Sequence, residues 1–184
     1  MRYLMMCEGT NEKTLINLLL DADKLIITRD DLIGEVPYAT RQFKFNPTLK
    51  SELEDYNEKV YVLRIGDTQK DDLKIPSELK EIISKDRIKK YCTKPEFEIL
   101  LIINEGLYNQ YKNTKEKSLR NNPKQFAKKY VKYGKKKYDC TNEFIEDYYG
   151  GNRIDNLVSN IIEYKKIKKD HKDDEYYLAD LLKK

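Results

Sequence analysis

The side chains in this chain that could do chemistry are acids placed where an apolar run gives way to a turn. Glu8 follows Tyr3, Leu4, Met5, Met6 and Cys7 and precedes Gly9-Thr10-Asn11, where a helical pattern begins. A second apolar run over 59–65 empties into Gly66-Asp67-Thr68-Gln69-Lys70-Asp71-Asp72. A third pair, Glu96 and Glu98, opens an apolar helical pattern just after Thr93-Lys94-Pro95. An open α/β sheet presents its functional groups at the carboxyl ends of its strands, so Glu8 and Asp67 are candidates for one shared edge. Hard divalent cations take oxygen ligands and are commonly held by one or two carboxylates with waters and phosphates, which Asp67 with Asp71 or Asp72 would satisfy.

Each acid also has a plain structural reading. Glu8 can favour the N-terminus of the next helix, worth about 0.3–1 kcal/mol, with Thr10 or Asn11 as its cap. Asp67, Asp71 and Asp72 are ordinary turn and capping residues. Glu96 suits a first helical turn. Glu98, between Phe97 and Ile99, points partly inward; facing the same edge as Glu8 and Asp67, it could orient a metal-bound water or a lysine.

Composition removes several alternatives. The single histidine, His171, lies in the polar link 168–174 and is expected in solvent, so Ser-His-Asp, Cys-His and histidine-zinc chemistry all lack their central residue. Cys7, Cys92 and Cys140 form no CxxC pair and read as small buried hydrophobes. No apolar run approaches the roughly 18–20 residues of a membrane span and no secretory leader pattern opens the chain, so a cytoplasmic protein without a membrane partner is expected.

Charge is uneven along the 184 residues. Residues 1–98 carry 17 basic and 19 acidic side chains, whereas 99–184 carry 19 and 13, a change from −2 to +6. Within 121–138, Lys124, Lys128, Lys129, Lys132, Lys135, Lys136 and Lys137 interleave with Phe126, Tyr130, Tyr133 and Tyr138. Lysines neutralise phosphates and aromatic faces stack on unpaired bases; a solvated amphipathic helix explains much of the same pattern. Lys94, Lys124, Lys128, Lys132, Lys135, Lys136 and Lys137 are the candidate nucleic-acid-binding set.

The elements that must position these groups follow from periodicity. Runs at 3–7, 59–65 and 87–92 read as strands of a small, mainly parallel sheet of about four strands. Helices are expected over 12–22, 47–56, 75–84 and from 96 through 111, with irregular or strand-like stretches at 24–27 and 34–44. Further helices over 141–149, 153–169 and 173–182, together with the lysine segment, suggest an α/β domain over 1–112 and a helical appendage over 113–184.

The order Cys7-Glu8-Gly9, then Gly66-Asp67 with Asp71-Asp72, then Lys94-Pro95-Glu96-Phe97-Glu98-Ile99-Leu100-Leu101 resembles the TOPRIM-like nucleases of the OLD and RloB type over residues 1–110. That resemblance implies a Mg²⁺- or Mn²⁺-dependent phosphodiesterase of DNA or RNA, with Glu8 in acid/base catalysis, Asp67, Asp71, Asp72 and Glu8 at the metal, and Glu98 as the acid of the third motif. It further implies a role in anti-phage defence or abortive infection, beside a neighbour-encoded ATPase. The chain departs from the pattern at Gln69, where a clean Asp-x-Asp would place an acid. The alternative is therefore a non-catalytic nucleic-acid-binding or adaptor protein on a degenerate TOPRIM scaffold.

Overall fold

A computed structural model describes residues 1–54, 56, 58–67 and 71–184. In chain order the elements are β1 (Arg2–Cys7), α1 (Thr10–Asp21), β2 (Tyr38–Ala39), α2 (Pro47–Glu54), β3 (Val60–Gly66), β4 (Ile88–Cys92), α3 (Glu98–Asn104), α4 (Tyr108–Lys112), α5 (Pro123–Tyr130), β5 (Lys132–Tyr133), β6 (Lys136–Lys137), α6 (Asn142–Tyr149), α7 (Ile154–Ile167) and β7 (Glu175–Tyr177). Five strands form one sheet in the order β2-β1-β3-β4-β7, every pairing parallel.

The period-2 alternation of a strand explains how the sheet is buried on both faces. Met5 and Cys7 of β1 and Leu63 and Ile65 of β3 face a large core shared with α1, α3, α5, α6 and α7. Leu4, Met6, Val60 and Val62 face a smaller core closed by Phe43, Leu49, Leu53 and Leu79. In α3, Ile99, Leu100, Leu101 and Ile102 are at most 1% exposed, which fits their place between the sheet and α5 and α7.

Several expected elements differ. The helix expected from 96 to 111 is two helices: α3 ends at Asn104, and Gly106 at φ +68° turns the chain into α4, a conformation that costs glycine little. The stretch 75–84 is a single 3-10 turn, Ser77–Leu79, entered from Pro76. The lysine segment is helical only through Tyr130 and then folds into the two-stranded β5–β6 hairpin. Residues 173–182, expected as a helix, supply the parallel edge strand β7 and a 3-10 turn, Leu178–Leu181. Residues 113–184 thus give the sheet its fifth strand and share the large core with residues 1–112. Among the described residues, no helix is long and apolar enough to cross a membrane.

Candidate active site

Parallel register fixes where the acids meet. Cys7 pairs with Ile65 and Gly66 with Cys92, so the residues after β1, β3 and β4 emerge side by side at the carboxyl edge. The amide of Glu8 extends this ladder by donating to the Ile65 carbonyl at 2.8 Å, and the amide of Thr93 donates to the Gly66 carbonyl at 2.9 Å. Glu8 Oε2 then accepts the Asp67 N–H at 2.9 Å, and the Glu8 carboxyl also hydrogen-bonds the Asp67 side chain. The edge shared by Glu8 and Asp67 is therefore a direct contact.

Around this pair lies a polar cleft of about 280 Å³, walled also by Glu12, Glu96, Glu98, Arg41 and Lys124. Burial, followed by the hydrogen bond and like charge of Asp67, pushes the Glu8 carboxyl up to about 7, against the pull of the Asp67 amide and of Arg41. Burial likewise raises Glu98 to about 7, although its own amide and the hydroxyl of Tyr138, donating to Oε1 at 2.9 Å, favour the ionised form. Glu12 is raised by burial and by Asp67. At neutral pH the cleft thus holds carboxyl groups poised between their two protonation states.

Glu12 and Arg41 are cleft residues that sequence reasoning missed. Glu12 is the third residue of α1, and Gly9, not Thr10 or Asn11, occupies the N-cap, with no side-chain cap bond. The Glu12 carboxylate reaches back to the Gly9 amide, and a Cβ at position 9 would lie 2.9 Å from Glu12 Oε2. An acid three residues into a helix is the half of a capping box that could have flagged it. Arg41, which ion-pairs with Glu8 Oε1, arrives from the irregular stretch after β2, and no local pattern marks it.

The other expected site residues divide. Asp71 and Asp72 do not line the cleft: their carboxylates are exposed, while their carbonyls accept from Arg64 at 2.6 Å and from the Gln42 side-chain amide at 2.9 Å. Gln69, the departure from the Asp-x-Asp pattern, lies outside the described residues. Among the described residues, no three His, Cys, Asp or Glu side chains gather closely enough to cage a metal ion. The donor set that does fit a hard cation is the Glu8–Asp67 pair, whose shared hydrogen bond a divalent ion could replace, with waters and a phosphate completing the shell.

Of the lysines, Lys124 stands in the cleft with its amide donating to Glu96 at 3.2 Å. Lys128 lies one turn further along α5 on the same face, and Lys132, Lys135 and Lys137 are exposed on and beside the hairpin. Lys136 is held by Glu143 at 2.9 Å. Lys94 does not face a strand path: its ammonium is buried against Glu175 and the Asp170 carbonyl. Among the interleaved aromatics, Phe126 and Tyr138 are core residues; Tyr133 is exposed beneath the Arg153 guanidinium. His171 is half-buried, stacked on Tyr177 at 3.8 Å and bonded to the Tyr164 hydroxyl at 3.0 Å, so its expected exposure is corrected. Cys7 and Cys92 are buried, with burial pushing the Cys92 thiol up to about 12, which removes both as thiolate nucleophiles.

No protein-family model, no curated protein and no solved structure matches this chain.

Proposed function

We propose that this protein is a Mg²⁺- or Mn²⁺-dependent nuclease whose reaction is phosphodiester hydrolysis in the Glu8–Asp67 cleft. One observation carries the reading: two carboxyl groups from different parallel strands touch at the sheet edge, and the cleft around them adds three more acids and only two cations. Gathering like charge raises the free energy of the folded state, and a bound divalent cation would relieve it.

A hard cation at Glu8 and Asp67 would supply Lewis-acid polarisation of a phosphate and a bound water of lowered pKa. The chain's own groups divide the remaining work. Glu8, or a water that it positions, can take the proton of the attacking water. Lys124, at the cleft wall, can neutralise a phosphate oxygen of the bound strand. Glu98, fixed by Tyr138, orients groups from the cleft wall. Defence against phage, a neighbour-encoded ATPase and a cytoplasmic setting belong to this reading as consequences of the TOPRIM-like resemblance.

One feature favours a second reading. The Arg41 guanidinium on Glu8 places a permanent cation at the pair, as a non-catalytic nucleic-acid-binding protein on the same scaffold would retain. Cleavage of labelled DNA and RNA strands with Mg²⁺ or Mn²⁺ separates the two. The nuclease reading expects cleavage that a chelator stops and that Glu8→Gln loses; binding without cleavage under either metal supports the second.

A further inference from the structure

A second cavity, of about 450 Å³, opens on the other side of the turn that carries Glu96. Pro95 and Ile99 line it next to the acidic cleft, and Arg120 and Asn121 line it just before Lys124 enters that cleft. The two hollows are therefore neighbours separated by single turns of two segments. Tyr108 and Tyr111 form the aromatic side. Tyr111 is buried and set edge-on to Phe126 at 5.3 Å, which makes it a fixed wall, while Tyr108 is partly exposed.

The cations of this cavity are of two kinds. Lys112 and Arg120 are exposed and make no ion pair among the described residues. Lys168, by contrast, is satisfied by Asp170 at 3.0 Å. An aromatic face, two uncommitted cations and a volume within the ~300–1,000 Å³ of small-ligand sites match a nucleotide: stacking for the base and charge for the phosphate. A concave hollow admits a base only when it is unstacked and unpaired, which selects single strands over duplex.

We infer that this cavity is a nucleotide subsite in which a base of a single-stranded segment stacks on Tyr108 while its phosphate meets Lys112 and Arg120, holding the strand beside the acidic cleft. The inference rests on the nuclease reading for the cleft and deepens it by naming single-stranded nucleic acid as the substrate class.

The test is fluorescence anisotropy of a short labelled single strand in the presence of chelator, so that binding is read without cleavage. Tyr108→Ala should weaken binding about 5- to 100-fold, and Tyr108→Phe, which keeps the ring, should bind within about twofold of the unmodified protein. Lys112→Gln with Arg120→Gln should lower the log–log salt slope by about 1.4, near 0.7 per phosphate contact. Removing one base from the strand should reproduce the Tyr108→Ala loss at one position only, an arm that needs no variant to fold. Competition by adenosine monophosphate that Tyr108→Ala abolishes would uphold the subsite with a free nucleotide as its source. Equal binding by Tyr108→Ala, or indifference to base removal at every position, overturns the inference. Tyr108-dependent binding by a protein that cuts nothing leaves the subsite standing and removes the nuclease reading; Glu8-dependent cleavage with binding indifferent to Tyr108 and Arg120 does the reverse.

Discussion

Two polar clusters occupy neighbouring strand ends and are built on opposite principles. Beyond β4, Lys94 meets Glu175 of β7 and the Asp170 carbonyl, while Lys90 of β4 pairs with Asp174 at 2.9 Å. Glu175 is buried, yet the Lys172 amide at 2.8 Å and Lys94 hold its carboxyl below the usual range. Burial, followed by Lys94, keeps His171 neutral to lower pH than usual. Beyond β1 and β3, Glu8 meets Asp67, and both Glu8 and Glu98 are pushed up to about 7. The first cluster closes the fold by pairing opposite charges. The second gathers like charges at an open cleft, with Arg41 as the cation paired to Glu8, and the proposed cation and phosphate site rests on that difference.

The sharpest way to break that comparison is to unpair the closed cluster. Glu175→Ala leaves the Lys94 ammonium buried without its carboxylate, and denaturant unfolding should show a loss of about 3–5 kcal/mol. The double variant Lys94→Met, Glu175→Leu should recover most of it. A stability unchanged by Glu175→Ala would deny the cluster its structural role.

The open cluster should respond to pH instead. Between about 4.5 and 7 the folded Glu98 keeps a proton that the unfolded chain has released, so its contribution is complete at low pH and is lost as pH rises through about 7. A shift from 4.5 to about 7 corresponds to a loss on the order of 3 kcal/mol, and Glu98→Gln should remove that part of the pH dependence while still accepting the Tyr138 hydroxyl. Thermal unfolding of both proteins from pH 5 to 8 reads it; parallel curves would show that Glu98 is not perturbed.

Cleavage provides a smaller step. In the proposed reaction Glu98 positions cleft groups and does not hold the cation, so Glu98→Gln should slow cleavage on the order of 10–100-fold without abolishing it. Because the metal-free Glu8 carboxyl is held up to about 7, protons should compete with the cation, and the Mg²⁺ concentration for half-maximal cleavage should rise as pH falls below 7. A half-maximal concentration unchanged from about pH 5.5 to 8 would remove Glu8 as the titrating group.

The smallest effects separate lysines that are committed from those that are not. Lys128, Lys132, Lys135 and Lys137 make no ion pair among the described residues, and replacing all four by Gln should flatten the salt dependence of single-strand binding by a slope of about 3. Lys136→Gln should leave the slope unchanged, because its amine already serves Glu143 and, at 3.5 Å, Asp147. An unchanged slope in the fourfold variant would make this segment a solvated face.

What was legible in the sequence follows the same physical division. β1 and β3 are largely apolar runs because both sheet faces are covered, whereas β4 carries Lys89 and Lys90 and is apolar mainly at its end; parallel topology then dictated that Glu8 and Asp67 share an edge. β7 was hidden because Tyr177, Leu178, Leu181 and Leu182 also satisfy a helical stripe, and three residues of edge strand leave no periodicity of their own. Arg41 and the fate of Lys94 and His171 depend on contacts across 33, 81 and 7 positions respectively, to Glu8, Glu175 and Tyr164, which no local pattern encodes. The lysine segment was ambiguous for a simpler reason. A helix with buried Phe126 and Ala127 has the same spacing as aromatics offered to bases.

The central claim, that the touching carboxyl groups of Glu8 and Asp67 form a cation-assisted hydrolytic site, is tested most directly by single-turnover cleavage at saturating protein, comparing the unmodified chain with Asp67→Asn and Glu8→Gln under Mg²⁺ and Mn²⁺. The expected result is chelator-sensitive cleavage by the unmodified protein, reduced to background in both variants, with strand binding by Asp67→Asn as tight or tighter because a repelling charge is gone. Cleavage that persists in both variants, or its absence from the unmodified protein with either metal, would contradict the account.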